Sequence, residues 1–142
     1  MSTDAASPLR SVLETCLYAD DLDAAAHFYG EILGLEEVSR ETGRHVFFRC
    51  GAQMVLVFNA EATATPDGML PPHGADGPGH VAFAVDDAQL EAWHERLEAR
   101  GVPVEKEMAW GEAGRSLYVR DPAGNSVELA TPSIWFGDAE AR

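Results

Sequence analysis

The chain has 142 residues, which is enough for the core of one domain and too few for two full catalytic domains. No apolar run approaches the ~18 residues of a membrane span, and the start of the chain lacks the apolar segment of a secretory signal. The formal net charge of -14 would repel nucleic acid and anionic lipid, so neither is an expected partner. The acidity itself fits either simple solubility or the attraction of a cation or metal ion.

The two cysteines, Cys16 and Cys50, lie far apart in the sequence. They lack the close spacing of a redox pair or a zinc-binding motif. We therefore interpret both as free thiols in a reducing compartment, and we expect a cytoplasmic protein.

The sequence contains an internal repeat. Residues 13–21 align without a gap with residues 79–87, so that Glu14 corresponds to His80, 66 positions later. Both stretches alternate in polarity and end in Asp-Asp, a pattern typical of a half-buried strand followed by a helix N-cap. The repeat therefore predicts two copies of one structural module.

Each half continues with the same order of elements. Apolar residues at helical spacing predict one helix per half, and Gly34 and Gly101 are positioned to end these helices. Three strands are expected after each helix, near residues 36–41, 44–49 and 53–59 in the first half and near 103–107, 116–120 and 126–130 in the second. The predicted fold class is α+β, with two βαβββ modules.

These elements divide the chain into five segments. They are an N-terminal tail (1–10), a first module (11–59), a linker or lid (60–78), a second module (79–132) and a C-terminal tail (133–142). The middle segment is rich in Pro, Gly and Asp and is long for a connection inside a compact domain. It is a passive linker, a lid over a binding site, or both.

Alternation along the strands separates the two faces of each sheet. The apolar face is expected to pack on the helices and contains Leu13, Leu17, Met54, Leu56, Phe58, Val81, Phe83, Val85, Val127 and Leu129. The opposite face contains Glu14, Cys16, Tyr18, Gln53, Val55, Val57, Asn59, His80, Ala82, Ala84, Ser126, Glu128 and Ala130. Because burial of unpaired ionisable groups is costly, this second face is predicted to line a concave cavity.

Three residues on the predicted cavity face, Glu14, His80 and Glu128, are candidate ligands of one divalent metal ion. Carboxylate oxygens and an imidazole nitrogen that converge are a common donor set for such ions. Taken singly, His80 would also fit a structural histidine, and Glu14 would fit an ion pair with an arginine. Taken together on one face, the three residues favour a metal site.

Candidate substrate-binding residues accompany these ligands. Tyr18 and Gln53 are expected on the cavity face as hydrogen-bond partners, while Trp110, Tyr118 and Trp135 are expected to supply an apolar wall. Each of these aromatic residues also fits an ordinary core position.

The motifs of the chain resemble those of the vicinal oxygen chelate superfamily, which includes glyoxalase I, type I extradiol dioxygenases, fosfomycin-resistance enzymes and bleomycin-binding proteins. The similarity covers about residues 11–132. Its carriers are Asp21-Leu22, Phe28-Tyr29, Leu33-Gly34-Leu35, Gly79-His80-Val81-Ala82-Phe83 and the run RDPAGNSVEL from Arg120 to Leu129. The resemblance implies a curved, half-open barrel sheet with helices on its outer face. It also implies a homodimer in which the first-module ligand of one chain lies beside the second-module ligands of the other.

In the superfamily a metal ligand begins the first strand of each module and a glutamate lies on the final strand, which matches Glu14, His80 and Glu128. The first of these ligands is usually histidine. Its replacement by Glu14 gives two carboxylates, which could neutralise a divalent ion. This favours harder ions such as Mn²⁺ or Fe²⁺, with Zn²⁺ or Ni²⁺ also compatible.

The resemblance is less specific for the reaction than for the fold. Glyoxalase I would call for a glutamate on the fourth strand, where we expect Val55, and extradiol dioxygenases would use histidine in place of Glu14. The fosfomycin enzymes gather a cationic cluster, for which Lys106 and scattered arginines offer little. We expect a metal-dependent enzyme that chelates a small oxygen-bearing substrate, with lyase, isomerase or dioxygenase chemistry. The alternative is a non-catalytic protein that binds a small molecule or antibiotic, as bleomycin-binding proteins do.

Overall fold

The computed structural model of the protein describes residues 5–66 and 69–137. The strands are β1 (Glu14–Tyr18), β2 (Glu36–Glu41), β3 (His45–Cys50), β4 (Gln53–Phe58), β5 (His80–Ala84), β6 (Lys106–Ala109), β7 (Arg115–Arg120) and β8 (Ser126–Ala130). The helices are α1 (Leu22–Ala26), which continues as a π-helical turn (His27–Ile32), α2 (Ala60–Ala64), α3 (Leu90–Ala99) and α4 (Ser133–Phe136). Within the described ranges, no helix is long and apolar enough to cross a membrane.

The strands form two four-stranded sheets, in the orders β1-β4-β3-β2 and β5-β8-β7-β6. In each sheet the first and last strands of the module pair in parallel. The remaining neighbours are antiparallel. The second sheet therefore repeats the arrangement of the first, and the predicted α+β class with two βαβββ modules is confirmed.

Local chemistry sets the ends of the helices. The Asp21 carboxylate accepts a hydrogen bond at 3.0 Å from a backbone N–H in the first turn of α1, which confirms the predicted N-cap. The equivalent residue of the second module, Asp87, instead accepts a hydrogen bond at 2.9 Å from Nε of Arg115. Gly34 and Gly101 both have a φ of 80°, the left-handed conformation that commonly ends a helix.

Strand β6 begins at Lys106, later than the predicted start at residue 103. The backbone N–H groups of Val102 and Val104 donate to acceptors at the end of α3, and Pro103 has no N–H to offer. Because these donors are already used, the hydrogen-bond ladder with β7 starts only beyond them.

One hydrophobic core lies on the helix-covered side of both sheets. Its largest fully buried side chains are Phe28, Tyr29, Val46, Phe48, Val57, Leu97, Leu117, Val119 and Val127. Burial of each apolar side chain contributes about 1.5–3 kcal/mol to folding. The opposite sides of the sheets carry exposed residues, among them Glu14, Cys16, His80 and Ala82, and we refer to these sides as the open faces.

Strand β4 faces the opposite way from the prediction. Its parallel register with β1 pairs Glu14 with Met54, so both side chains lie on the open face. Val55 and Val57 are 3% and 0% exposed and belong to the core. Because every residue from Met54 to Phe58 is apolar, alternation cannot distinguish the two faces of this strand, and its pairing with β1 decides the facing.

This register also changes which residue corresponds to Glu128. Glu128 pairs with Ala82 in the second sheet, and Cys16, the repeat equivalent of Ala82, pairs with Leu56 in the first. The residue at the position of Glu128 is therefore Leu56, and the assignment of Val55 to that position is wrong.

Two further predictions of which way a side chain faces are wrong. Gln53 lies on the side of β4 that carries Val55, so it is on the helix side and not on the cavity face. Leu13, expected in the core, is 68% exposed because it precedes the first residue of β1.

A buried polar cluster joins the two modules. This cluster, named the Asp121 hub, consists of Tyr29, Asp121 and Asn125, none of which is more than 4% exposed. The Asp121 carboxylate accepts hydrogen bonds from the Tyr29 hydroxyl at 2.7 Å and from the backbone and side-chain N–H groups of Asn125 at 2.9 Å. The Asn125 amide also donates to the carbonyl of Tyr18 and accepts from the N–H of Gly79. The hub therefore ties the end of β1, the start of β5 and the first helix to the β7–β8 turn.

The hub predicts a specific loss of stability. Tyr29→Phe removes a donor from a buried carboxylate and should lower the free energy of unfolding by about 1.5–3 kcal/mol. Tyr18→Phe, which removes a less buried hydroxyl, is the matched control and should change it by less than about 0.5 kcal/mol. Urea denaturation at one fixed protein concentration measures both effects. Equal effects of the two substitutions would show that the hub is not a special contributor.

Candidate functional site

His80 and Glu128 lie together on the open face of the second sheet, on the paired strands β5 and β8. Nε2 of His80 is 3.3 Å from Oε1 of Glu128. The Glu128 side chain is 9% exposed and the His80 side chain is 52% exposed. The pair therefore combines a nearly buried carboxylate with an imidazole that is open to solvent.

Hydrogen bonding orients the imidazole of His80. Its Nδ1 lies 3.1 Å from the backbone carbonyl of Ser126, and because a carbonyl can only accept, Nδ1 carries the hydrogen. Nε2 then faces Oε1 of Glu128, as an ion-pair donor when the ring is protonated and with a free lone pair when it is neutral. With the ring neutral, the two groups are placed to hold a cation between them. An imidazole whose other nitrogen donates to a backbone carbonyl is also typical of a metal ligand.

Tyr118 holds the second oxygen of Glu128. Its hydroxyl donates to Oε2 of Glu128 at 3.0 Å, and its ring lies 6.5 Å from the ring of His80. Burial, reinforced by the hydrogen bond to Glu128 and by its charge, raises the pKa of Tyr118. The phenol keeps its hydrogen at neutral pH, so Oε2 is occupied and Oε1 remains directed at His80.

Glu14 lies on the other sheet. It is the first residue of β1 and is exposed on the open face of the first module. Within residues 5–66 and 69–137, no three His, Cys, Asp or Glu side chains are close enough together to hold a metal ion. The structure thus brings His80 and Glu128 together and does not bring Glu14 to them within one chain.

The open face of the first module contains a cavity of about 580 Å³, named the aromatic pocket. Its lining residues are Glu14, Cys16, Tyr18, Arg44, Phe47, Leu56, Phe58, Leu70 and His73. Leu70 and His73 belong to the segment predicted as a linker or lid, so part of this segment forms a wall of the pocket. The same segment begins with the short helix α2, which is capped by the side chain of Asn59.

Tyr18 lines the pocket with its hydroxyl. Partial burial, followed by its hydrogen bond to Cys16 and the charge of that group, raises the pKa of Tyr18 to about 12. The phenol therefore stays protonated at neutral pH. Its oxygen is 2.7 Å from Nδ1 of His73, which links β1 to the pocket wall.

The other predicted aromatic binding residues, Trp110 and Trp135, do not line the aromatic pocket. The indole N–H of Trp110 donates to the hydroxyl of Ser116 at 2.9 Å, and Trp110 is 43% exposed. Trp135 is 81% exposed on α4, inside the segment predicted as a C-terminal tail. Residues 1–4 and 138–142 of the two predicted tails, and residues 67–68 of the predicted linker, lie outside the described residues.

The sequence interpretation missed six residues of the aromatic pocket: Arg44, Phe47, Leu56, Phe58, Leu70 and His73. Leu56 and Phe58 lie on β4, which is apolar on both faces from Met54 onward, and Leu70 and His73 lie in a loop whose path follows no local pattern. The signal for Phe58 was available, because in-register alignment of β4 with β1 would have placed it beside Tyr18.

The chain belongs to the Glyoxalase/Bleomycin resistance protein/Dioxygenase superfamily, whose profile matches residues 11–129. This confirms the resemblance to the vicinal oxygen chelate superfamily and agrees with the two-module fold.

Two of the similar proteins are named as enzymes and one as a virulence protein. Glutathione transferase FosA of Serratia marcescens is 32% identical over 127 residues, which cover 89% of this chain and 84% of the relative. Virulence protein STM3117 of Salmonella typhimurium is 30% identical over 115 residues, which cover 80% of this chain and 78% of the relative. A crystal structure of lactoylglutathione lyase from Agrobacterium tumefaciens superposes with a TM-score of 0.87 at 45% identity, and the match covers 90% of this chain and 98% of that one.

The tyrosines give a testable pH dependence. The pKa values of Tyr18, Tyr29 and Tyr118 are all raised, in each case chiefly by burial. Unfolded tyrosines titrate near pH ~10, so above that pH the unfolded chain loses phenolic protons first. The contribution of these groups to the free energy of unfolding is therefore fully present below pH ~10 and decreases as the pH rises further. Ultraviolet titration should show phenolate forming at higher pH in the native protein than in urea, and coincident curves would refute the shifts.

Proposed function

We propose that the protein is a metal-dependent enzyme whose ion is held by His80 and Glu128 of one chain and by Glu14 of the partner subunit. The proposal rests on one observation above all. Nε2 of His80 lies 3.3 Å from Oε1 of Glu128, and the described part of the chain adds no third ligand. In a homodimer that places the first module of one chain against the second module of the other, Glu14 would complete the set.

The donor set fits a divalent ion. One imidazole nitrogen and two carboxylates combine ligand types used by Mn²⁺, Fe²⁺, Zn²⁺ and Ni²⁺, and their two negative charges balance the charge of the ion. The harder ions, Mn²⁺ and Fe²⁺, suit the oxygen-rich set best. Three protein ligands leave positions open for two oxygens of a small substrate.

When bound, the ion would polarise an oxygen of the chelated substrate and stabilise negative charge on it. The residues of the chain position the reactants. Tyr118 keeps Oε2 of Glu128 occupied, and the Ser126 carbonyl fixes the ring of His80. Tyr18 lines the pocket, where its hydroxyl is held by the contact with Nδ1 of His73.

The first module and the relatives support a lyase or transferase reaction. Leu56 stands at the position equivalent to Glu128, so this module supplies neither a fourth ligand nor a carboxylate base there. The relatives named as a lyase and as a glutathione transferase favour lyase or transferase chemistry for this chain over dioxygenase chemistry.

A binding protein without catalysis is the second candidate. The net charge of -14 and the aromatic walls of the pocket favour it, because both would suit a cationic ligand. Such a protein would need no ion, so the metal content of the purified protein separates the two candidates.

Subunit complementation tests the shared site. Glu14→Ala and His80→Ala homodimers should each bind no ion, because every site lacks one ligand. In a mixed dimer of these two variants, one site takes Glu14 from the His80→Ala chain and the remaining ligands from the Glu14→Ala chain. Doubly tagged mixed dimers should therefore recover half of the wild-type metal content, measured by elemental analysis of protein purified without chelator.

The matched control is the mixed dimer of His80→Ala and Glu128→Ala. Both substitutions fall in the second module, so neither shared site is complete and no metal should return. A shared site would be refuted if metal content recovers in this control. It would also be refuted if metal content does not recover in the first mixture although the wild-type dimer is fully loaded. A wild-type dimer that binds no ion near neutral pH would reject the metal-dependent enzyme and favour the binding protein.

Tyr118 should act on the ion through Glu128. Tyr118→Phe frees Oε2 and should weaken metal affinity by about 10-fold, within the range seen when a hydrogen-bond partner of a ligand is removed. Tyr18→Phe is the control, because its hydroxyl contacts His73 instead, and it should leave affinity unchanged. Competition with a fluorescent chelator measures both constants. Unchanged affinity in Tyr118→Phe would show that Glu128 does not need this partner.

A further inference from the structure

The two ends of the aromatic pocket differ in chemistry. Its floor follows β1 from Glu14 to Tyr18, a distance of about 13 Å for five residues of strand. Glu14, at one end, is a proposed ligand of the ion. At the other end Tyr18 pairs with Phe58, and Arg44 lies against the ring of Phe58. A ligand in the pocket would therefore meet the ion at one end and a guanidinium at the other.

The walls between these ends are aromatic rings. The ring of Phe58 lies 5.3 Å from that of Phe47 at 74° and 4.8 Å from that of His73 at 78°, both edge to face. The ring of Tyr18 lies 5.9 Å from that of His73. Leu56 completes the apolar floor. Surfaces of this kind favour a flat ring, because aromatic pairs add edge-to-face and offset contacts to the gain from burial.

Arg44 is held in position without being neutralised at close range. Its Nη1 donates to Nδ1 of His45 at 3.0 Å, and its Cζ lies 5.6 Å from the centre of the Phe58 ring. The nearest carboxylate, that of Glu41, is 3.8 Å from Nε. Within the described ranges Nη2 donates to no protein acceptor. By contrast, Arg115 lies 2.7 Å and 2.9 Å from its two carboxylate partners.

His45 supports this arrangement. It is 9% exposed, its ring stacks on Phe47 with centres 3.9 Å apart, and its Nε2 lies 3.1 Å from the hydroxyl of Ser39. Burial, together with the charge of Arg44, lowers the pKa of His45, although Glu41 opposes the shift. The imidazole is therefore neutral at pH 7 and accepts from the guanidinium instead of repelling it.

From these features we infer that the aromatic pocket binds a monocyclic aromatic acid. Its ring packs against the surface formed by Phe47, Phe58 and His73, and its carboxylate pairs with Arg44. The chelating oxygens at the opposite end of the ring point toward Glu14 and the ion. This last contact rests on the proposed function, whereas the ring and carboxylate contacts use only residues of the first module. A cationic ring is disfavoured, because it would meet Arg44.

Three probes separate the contributions in the metal-loaded wild-type protein. The probes are 3,4-dihydroxybenzoate, which has a ring, an acid and two chelating oxygens, catechol, which lacks the acid, and 3,4-dihydroxybutyrate, which lacks the ring. Calorimetry should show that 3,4-dihydroxybenzoate binds about tenfold or more tightly than either of the others, as expected for one charge-assisted contact or one ring contact. Equal dissociation constants for all three probes would overturn the inference.

Two variants assign the contacts. Arg44→Gln should reduce the preference for 3,4-dihydroxybenzoate over catechol to about twofold or less while leaving catechol binding unchanged, because only the acid contact is lost. Phe47→Leu should reduce the preference for the ring compound over 3,4-dihydroxybutyrate. Arg100→Gln, which removes the same charge from an exposed position at the end of α3, is the control and should change neither. Equal effects of Arg44→Gln and Arg100→Gln would show that net charge, and not the pocket, selects the acid.

Failure of this inference and failure of the proposed function give different results. If the protein binds an ion but does not discriminate among the probes, the pocket assignment is wrong and the metal site stands. Benzoate and benzyl alcohol, which lack the paired oxygens, test the opposite case in the His80→Ala variant. A preference for benzoate that Arg44→Gln abolishes would support the pocket even if no ion binds, and no preference would contradict it.

Discussion

Both halves of the candidate site depend on the Asp121 hub. One buried carboxylate accepts hydrogen bonds from the first helix and from its own turn, and the neighbouring amide of Asn125 binds the backbone at Tyr18 and at Gly79. Buried polar groups of this kind are satisfied only when all their partners are in place. Since Tyr18 ends β1 and Gly79 immediately precedes His80, the same cluster positions the aromatic pocket and the second-module ligands. A Cβ on Gly79 would lie 3.2 Å from Cδ2 of Leu17, so glycine lets the chain pass close to β1 without displacing that side chain.

Much of the fold could be predicted because local sequence patterns determine it. The repeat at residues 13–21 and 79–87 predicted two modules, and the glycines at Gly34 and Gly101 predicted where the helices end. The errors arose where local pattern carries no information. Strand β4 is apolar on both faces, so its facing depends on pairing with β1, and β6 starts late because α3 takes the donors before it. The first is a long-range effect of strand pairing and the second an effect of the preceding helix end, and neither can be read from the strand alone.

The candidate site was predicted only in part, for a related reason. His80 and Glu128 were found because they are unusual residues on alternating strands, and the structure places them 3.3 Å apart. Glu14 lies on the other sheet, and in the proposed site it would meet them only across two chains, which no local pattern can show. Most of the aromatic pocket was missed because Leu56 and Phe58 lie on a strand that is apolar on both faces and Leu70 and His73 lie in a loop. The repeat nevertheless explains why the two open faces differ in chemistry. Leu56 and Phe58 make the open face of the first module apolar, whereas Glu128 places a carboxylate on the open face of the second.

The central claim is that one metal ion is bound by ligands from two chains. Anomalous diffraction from crystals grown with Mn²⁺ tests it most directly. The account predicts a peak about 2.0–2.2 Å from Nε2 of His80 and from a carboxylate oxygen of Glu128 in one chain, and at a similar distance from Glu14 of the partner subunit. A peak bound by all three residues of a single chain, or a metal-loaded crystal with no peak at His80 and Glu128, would contradict it.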